Sequence, residues 1–396
     1  MYLPFMLPET QLSFGIFKRS VKFEAAKQKD AKLFVQGRVY ILNTERTIII
    51  MASLSDLSAS QQPFPPLIDL SPFSQTSKIS TLSKQDVANQ VHKACLEIGF
   101  FQIRSPSLNQ TVITDAFEAT KEFFNLPLEI KETASAFNSP LFRGYQGITS
   151  ESHSCTPEDE TVLAETKTTT TPLVTAAKRK RDVKESFTIG AKGEGKMLGP
   201  NNWPSTTTDY DITSIRERLD KYWDAMLKCS IEIAKALALS LGLSETFFTS
   251  NMTNPVAQMV LLRYPKPSES QQACGAHTDC GFLTLLAQDQ KMGGLEIQGL
   301  DGEWIKATQL EGCVLVNLGD MAANWTNDFY KSTFHRVSNK LQRQRHSIPF
   351  FCNLNYDAIV DPRDVCKGPL DVGEPKMKPI KAGDYLCEKL GLMHNG

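Results

Sequence analysis

Short stretches of β-forming residues, separated by glycine-containing turns, fill the chain after Pro255 and restrict the folds that it can adopt. The turns contain Gly293-Gly294, Asp301-Gly302 and Gly319-Asp320. Many short strands with regular turns favour a closed or sandwiched β architecture, here a jelly roll. The predicted strands are Gln258–Arg263, Gly281–Ala287, Gly294–Ile297, Trp304–Thr308, Cys313–Asn317, Thr333–Val337 and Ser347–Leu354.

In the amino-terminal half of the chain, apolar residues recur instead with the spacing of amphipathic helices. Ser83-Lys-Gln-Asp86 predicts the capped start of one helix, which Gly99 ends, and a second helix is predicted from about Val112 to Phe124. Ser214-Ile-Arg-Glu217 predicts a capping box for a long helix that stops at Gly242. The fold class that we predict is therefore α+β and mainly β: a double-stranded β-helix (jelly roll, cupin-like) core buttressed by helices.

Two histidines and one aspartate in the strand-rich part have the spacing of a metal site. His277 and Asp279 stand two residues apart, and His335 follows far downstream. In an extended strand, residues i and i+2 point to the same face, so His277 and Asp279 can reach one ion while Thr278 points away. Two imidazoles and one carboxylate on one face of an ion are the facial triad of non-haem Fe(II) sites. We therefore predict His277, Asp279 and His335 as iron ligands.

Arg345 and Ser347 form a second constellation after the distal histidine. The polar segment from Ser338 to Arg343 predicts a hairpin connection, which would place His335 and Arg345 on neighbouring antiparallel strands. By the same alternation Arg345 and Ser347 share one face, while His346 points to the other. A guanidinium fork beside a hydroxyl is suited to binding a carboxylate.

The order His-x-Asp, a distant His and Arg-x-Ser resembles the Fe(II)- and 2-oxoglutarate-dependent dioxygenases. More narrowly, it is similar to the branch with isopenicillin N synthase and the plant gibberellin oxidases. The resemblance covers roughly Pro65 to Leu392 and departs from many plant relatives at Leu262, where they carry asparagine. Its further matches are Pro65–Leu70, Gly99–Ile103, Arg143–Tyr145, Asp182–Gly190, Gly199–Pro204 and Leu262–Pro265.

This resemblance implies a reaction and a set of co-reactants. Fe(II) would be the metal, 2-oxoglutarate the co-substrate and O2 the oxidant, with ascorbate as a candidate reductant. Arg345 and Ser347 would bind the distal carboxylate of 2-oxoglutarate, and Tyr264 would also reach the co-substrate. Oxidative decarboxylation of 2-oxoglutarate would be coupled to hydroxylation, desaturation or ring closure of a small-molecule metabolite, an activity of secondary metabolism.

Three alternatives stay open at this point. A 2-oxoglutarate-independent oxidase of the same fold would use Arg345 and Ser347 to hold the carboxylate of its own substrate. A non-catalytic relative would keep the fold and bind iron. A zinc hydrolase can also use two histidines and one carboxylate, but it has no use for Arg345 and Ser347 at this spacing.

Composition limits the partners and the compartment. The formal net charge is −1, so neither nucleic acid nor an anionic membrane is attracted in bulk. No apolar run approaches the ~18 residues that a membrane span requires. The nine cysteines are scattered and odd in number, which favours reduced thiols inside the cell. We expect a cytoplasmic monomer that binds a small molecule, with no nucleic-acid or membrane partner.

The chain is expected to contain one domain and an extension. Residues 1–60 are interpreted as a flexible extension of uncertain status, with a second start available at Met51. Residues 61–392 would be a single dioxygenase domain. Within it we predict a helix and strand region at 61–150, an insertion and roof at 151–200, and the jelly-roll core at 255–360. The basic run Lys178–Arg181 is interpreted as a solvated part of the insertion.

Overall fold

The computed structural model describes residues 64–74, 83–148, 184–266, 274–289, 293–338, 343–369 and 373–391, together with the backbone of strands at 22–24, 30–35 and 38–43. The chain divides into two compact units, residues 1–62 and 63–396. Most of the predicted extension and of the predicted 151–200 insertion, including the basic run, lies outside the described residues.

The first unit contains three antiparallel strands. They pair in the order β1-β2-β3. Their bounds are Lys22–Glu24 for β1, Asp30–Val35 for β2 and Arg38–Asn43 for β3.

The second unit is built on an eight-stranded sheet, which we call the major sheet. Its strand order is β4-β5-β13-β10-β15-β8-β7-β6, so strands distant in sequence are neighbours at its centre. All of its pairs are antiparallel except β4 with β5. The bounds are Leu67–Asp69 (β4), Phe100–Arg104 (β5), Gly144–Gln146 (β6), Glu185–Gly190 (β7), Pro255–Tyr264 (β8), Leu283–Gln288 (β10), Val314–Leu318 (β13) and Arg345–Asn355 (β15).

A four-stranded antiparallel sheet, the minor sheet, completes the sandwich. Its order is β12-β11-β14-β9. Its strands are Cys274–His277 (β9), Leu295–Gln298 (β11), Trp304–Lys306 (β12) and His335–Val337 (β14). A further pair joins Ile359–Val360 (β16) to Ile380–Lys381 (β17). Strands that alternate between two sheets are the jelly-roll arrangement that the sequence predicts.

The predicted hairpin between His335 and Arg345 is wrong. His335 begins β14 in the minor sheet and Arg345 begins β15 in the major sheet, so the two strands are not neighbours. The chain therefore passes from the minor sheet to the major sheet between Val337 and Arg345. Polarity and length alone cannot distinguish a tight hairpin from such a crossing, because both are solvated connections.

Helices cover one face of the major sheet. The cap at Ser83 is confirmed: its hydroxyl accepts from the backbone N–H of Asp86, whose carboxylate accepts from Ser83 in return. The predicted cap at Ser214 is wrong, because Asp211 is the capping residue and accepts from the Ser214 N–H. The helices are Lys84–Glu97 (α1), Gln110–Asn125 (α2), Leu128–Glu132 (α3), Ile212–Ser240 (α4), Asp320–Trp325 (α5), Arg363–Cys366 (α6) and Ala382–Lys389 (α7).

The long helix α4 packs against the outer face of the major sheet. The Tyr222 hydroxyl donates to the carbonyl of Ile348 at 3.2 Å, and the ring of Trp223 stands edge-on to Phe350 at 5.0 Å. The apolar stripe predicted for this helix is buried throughout: Ile215, Leu219, Tyr222, Met226, Cys229, Ile233 and Leu237. Since alternate residues of a strand face opposite sides, the inner face of β15 is left to Arg345, Ser347 and Phe351. No described helix is long and apolar enough to span a membrane.

Strand β4 should be required for the stability of the second unit, whereas residues 1–50 should not. Ile68 and Leu70 are fully buried, and the peptide N–H of Gln102 donates to the Pro66 carbonyl at 2.7 Å. A chain that begins at Ser71 loses these contacts and exposes the edge of β5. We expect it to melt several degrees lower than the full chain, and a chain that begins at Met51 to melt at the same temperature. Calorimetry on both truncated chains measures this, and a marked loss in the Met51 chain would contradict it.

Candidate metal centre and co-substrate site

The three predicted ligands converge where β9 meets β14. His277 is the last residue of β9 and His335 the first of β14, and the two are paired across the minor sheet. The Nε2 atoms of His277 and His335 lie 3.9 and 3.7 Å from Oδ1 of Asp279. Asp279 follows the end of β9 rather than lying within it, so its side chain is aimed by a turn and not by strand alternation.

Backbone carbonyls orient both imidazoles. Nδ1 of His277 lies 2.8 Å from the Gly275 carbonyl, and Nδ1 of His335 lies 3.1 Å from the Thr333 carbonyl. A carbonyl can only accept, so each Nδ1 carries the hydrogen and each Nε2 faces Asp279 as a donor atom for a metal. Burial lowers the pKa of His335 to about 4, so its Nε2 lone pair is available at neutral pH. For His277 burial is outweighed by contacts with Cys274 and Asp279, which raise its pKa to about 9, so a metal would displace a proton from this imidazole.

Two side chains of the major sheet hold the carboxylate of Asp279. Its Oδ2 accepts from the Thr284 hydroxyl at 2.6 Å and from the Asn317 amide at 2.7 Å. Burial by itself would raise the pKa of Asp279, but the two imidazoles and these hydrogen bonds bring that pKa below its ordinary range. Oδ2 is therefore occupied, and Oδ1 is the oxygen left for an ion.

The loop after His277 is tied to the start of α5. The Asp320 N–H donates to the Asp279 carbonyl at 2.7 Å, and the Asp320 carboxylate accepts from Ser332 at 2.6 Å. Position 319 requires glycine because its backbone lies close to that of Gly281: a Cβ at position 319 would lie 2.2 Å from the carbonyl oxygen of Gly281. One turn thus joins the loop that contains Asp279 to the segment that precedes His335.

This donor set fits Fe(II). The three ligand atoms lie within 4.8 Å of one another, two being imidazole nitrogens and one a carboxylate oxygen. Each candidate ligand is also hydrogen-bonded through an atom other than the one that would bind the metal, as expected of a metal site. Imidazole nitrogen with a single carboxylate is the donor chemistry of the facial triad.

Arg345 lies on the inner face of the major sheet, fully buried and surrounded by neutral partners. It donates to the carbonyl of Gly293 at 2.8 Å, to the side-chain oxygen of Gln288 at 3.0 Å and to the Ser347 hydroxyl at 3.2 Å. Among the described residues it forms no ion pair. Burial lowers the pKa of its guanidinium. A buried charge without a counter-ion costs free energy of folding, and a bound anion would offset that cost.

Ser347 lies beside Arg345, as strand alternation predicts, and Tyr264 also lies beside it. Tyr264 is paired with Arg345 between β8 and β15, and its ring centroid lies 5.0 Å from the guanidinium carbon. Ser347 is paired with Leu262, so an apolar side chain stands where many plant relatives have an amide. His346 points to the other face, as predicted, and stacks near Phe124 at 6.2 Å.

Comparison with known proteins shows which family of proteins has this site. Residues 65–206 match the family described as the non-haem dioxygenase in morphine synthesis N-terminal domain, and residues 256–354 match the 2OG-Fe(II) oxygenase superfamily. The chain belongs to the 2OG-Fe(II) oxygenases. This oxygenase carries its three metal-ligand candidates and its buried arginine within the second matched segment.

Curated relatives and solved structures agree with that membership. The chain is 32% identical to a homoarginine-6-hydroxylase of Arabidopsis thaliana, with 77% of this chain and 89% of the relative covered. It is 28% identical to a full-length Neurospora crassa protein crystallised in complex with alpha-KG, at a TM-score of 0.68, with 83% and 96% of the two chains covered. The complex of that Neurospora crassa protein with alpha-KG and thymine gives a TM-score of 0.66 at 28% identity, covering 83% and 97%.

Several predictions from the sequence are therefore confirmed. The fold is the double-stranded β-helix, the protein is a 2-oxoglutarate-dependent dioxygenase that acts on a small metabolite, and Fe(II) and 2-oxoglutarate are its cofactor and co-substrate. Sequence reasoning missed Thr284, Asn317 and Gln288, the residues that hold Asp279 and Arg345. Each is a polar residue inside or at the end of an apolar strand, a signal that could have identified it.

Removing either hydrogen bond to Asp279 should weaken metal binding while leaving the ligands in place. We expect Thr284→Val and Asn317→Leu each to reduce Fe(II) affinity by roughly 10- to 100-fold, the range typical of groups that orient metal ligands. Calorimetric titration with Fe(II) under anaerobic conditions measures the affinity. The exposed Thr308 gives a matched control in Thr308→Val, and equal affinities in all three variants would refute the role of these bonds.

Proposed function

We propose that His277, Asp279 and His335 bind the catalytic Fe(II), and that Arg345 and Ser347 bind the distal carboxylate of 2-oxoglutarate. One observation carries the second half: Arg345 is a buried guanidinium with no ion pair among the described residues. A bidentate carboxylate is the anion whose geometry matches a guanidinium fork. The facing hydroxyl of Ser347 can add a further hydrogen bond to the same group.

Tyr264 is proposed to contact the co-substrate from the side. Its ring lies against the Arg345 guanidinium, so it narrows the space around the carboxylate and limits access of water. Gln288 and the Gly293 carbonyl fix the remaining donors of Arg345, which leaves the fork in one orientation. The arginine is thus preorganised, and little side-chain entropy is lost on binding.

The chain's own contribution to the reaction is positioning and charge. Iron with 2-oxoglutarate and O2 supplies the oxidising power for cleavage of an unactivated C–H bond, and ascorbate would serve as the reductant that maintains Fe(II). Two imidazole nitrogens and one carboxylate oxygen would bind the ion, and the remaining coordination positions would be open to small molecules. The product would be an alcohol, an alkene or a ring, depending on how the substrate lies in the pocket.

The organic substrate is proposed to be a small metabolite with polar groups. The relative named after homoarginine and the Neurospora crassa complex with thymine support a compact polar molecule. We further propose that the enzyme is a cytoplasmic monomer. The described cysteines form no disulfide with one another, which supports a reducing compartment.

Replacing any metal ligand by alanine should abolish turnover. In His277→Ala, Asp279→Ala and His335→Ala the site loses one of three donors, so Fe(II) affinity should fall together with succinate formation. Calorimetric titration and a succinate assay on the same preparations measure both quantities. Unchanged Fe(II) affinity in two of the three variants would contradict this assignment.

Changing Arg345 to lysine should affect 2-oxoglutarate and not the metal. Lysine keeps the charge but loses the planar two-donor fork, so we expect the KM for 2-oxoglutarate to rise by roughly tenfold or more with Fe(II) affinity nearly unchanged. Ser347→Ala should act in the same direction and less, since it removes one neutral hydrogen bond of about 1 kcal/mol.

The matched control for this experiment is Arg336→Lys. Arg336 also lies on a strand, but it is paired with the Glu296 carboxylate at 2.7 Å in the minor sheet. Its replacement should leave the KM for 2-oxoglutarate within error. If Arg345→Lys raises only the KM of the organic substrate, then the arginine binds that substrate and the proposed role is wrong.

A further inference from the structure

A row of inner-face side chains leads from the metal centre toward the β6 edge of the major sheet. The strand register pairs Thr284 with Phe351 and Phe351 with Gln258. Thr284 is the residue that holds the carboxylate of Asp279. Because neighbouring strands lie about 4.8 Å apart, Gln258 is roughly 10 Å across the sheet from Thr284. Phe351 and Gln258 are both half-buried, so part of each side chain is accessible to solvent.

Gln258 differs from the other inner-face glutamines in having no protein partner among the described residues. Gln102 and Gln288 are buried and hydrogen-bonded through their side chains. The side chains of Gln258 and of Thr188, on the adjacent strand β7, make no hydrogen bond to any residue of the described part of the chain. Thr188 is paired with Val260, two positions from Gln258, and is likewise half-buried. An amide and a hydroxyl on one face of the sheet are thus available to a ligand.

The charge beside Gln258 on this face of the sheet is positive. Gly190 is paired with Gln258, and a Cβ on Gly190 would lie 2.3 Å from the guanidinium carbon of Arg143. Arg143 is fully buried, donates to the carbonyls of Gly199 and Met197, and has no ion pair with any described residue. Its Nε has no hydrogen-bond partner in that part of the chain. An uncompensated positive charge at this depth disfavours a cation nearby and favours oxygen atoms that accept hydrogen bonds.

We propose that Gln258, together with Thr188, determines substrate specificity by donating hydrogen bonds to an acceptor oxygen of the substrate, a carbonyl or a carboxylate, while Phe351 packs against the adjoining part of the molecule. The group that is recognised therefore lies several ångströms from the carbon that is oxidised. A substrate whose only polar group at that end is a cation is rejected. This inference rests on the proposed function, since it assumes that the substrate lies between the metal centre and the β6 edge.

Three probes of different charge test the assigned chemistry: thymine with neutral carbonyls, indole-3-acetate with a carboxylate, and agmatine with cations alone. Succinate formation above the rate without probe is measured for the full chain with Fe(II) and 2-oxoglutarate. Thymine or indole-3-acetate should stimulate succinate formation, and agmatine should not. Stimulation by agmatine, with or without the other two probes, or by none of the three, overturns the assignment.

Substitutions of Gln258 then test the residue itself. Gln258→Leu should raise the Kd of the stimulating probe by about tenfold, because the probe oxygen loses its donor. Gln258→Glu should weaken indole-3-acetate more than thymine, which distinguishes carboxylate from carbonyl recognition. Thr188→Val gives a second, milder test. Calorimetric titration measures each Kd, with melting temperatures as the check on folding and Gln85→Leu, an exposed glutamine on α1, as the control.

The two proposals fail in different ways. If probe Kd values are unchanged in Gln258→Leu and Thr188→Val while 2-oxoglutarate still depends on Arg345, the specificity role is wrong and the proposed function stands. If the KM for 2-oxoglutarate is indifferent to Arg345, the proposed function is wrong whatever Gln258 does.

Discussion

The carboxylate of Asp279 is held from the major sheet while the two imidazoles that it faces belong to the minor sheet. Thr284 and Asn317 hold one carboxylate oxygen, at 2.6 and 2.7 Å, and the other is directed toward His277 and His335. The proposed metal centre therefore forms only when the two sheets are packed in register. A one-residue slip of β10 or β13 would turn Thr284 or Asn317 to the outer face and release Asp279.

The buried charge of Arg345 imposes a similar condition at the other end of the sandwich. Its donors are fixed by a carbonyl, an amide oxygen and a hydroxyl, none of which neutralises it. Such an arrangement costs stability in the absence of an anion and strengthens the attraction when a carboxylate enters, because the surrounding dielectric is low. With the role proposed for Arg345, the fold would store in one side chain part of the free energy that binds the co-substrate.

A cluster of charged side chains on the outer face lies behind the strand ends that carry Tyr264 and Arg345. There Glu185 of β7 accepts from Lys131 and Tyr145, and it also pairs with Arg263, the neighbour of Tyr264. Lys131 and Arg263 both donate to the carbonyl of Phe124 at the end of α2. A buried cluster of this kind tolerates no missing partner, since an unpaired charge would remain. It connects the helical layer to the strand that carries Tyr264.

Patterns in the amino-acid sequence were enough to predict most of the elements and the residues of the candidate site. Local patterns follow from the periods of helix and strand. They include the pairs His277 with Asp279 and Arg345 with Ser347, the cap at Ser83 and the apolar stripe of α4. His335 was predicted from its place in the order of these residues. Tertiary structure decided which sheet each strand joins. In it His335 and Arg345 lie in different sheets, and Asp279 follows its strand instead of lying within it. Thr284 and Asn317 both donate to one oxygen of the Asp279 carboxylate. Those outcomes depend on pairing between strands distant in sequence, which no local period specifies.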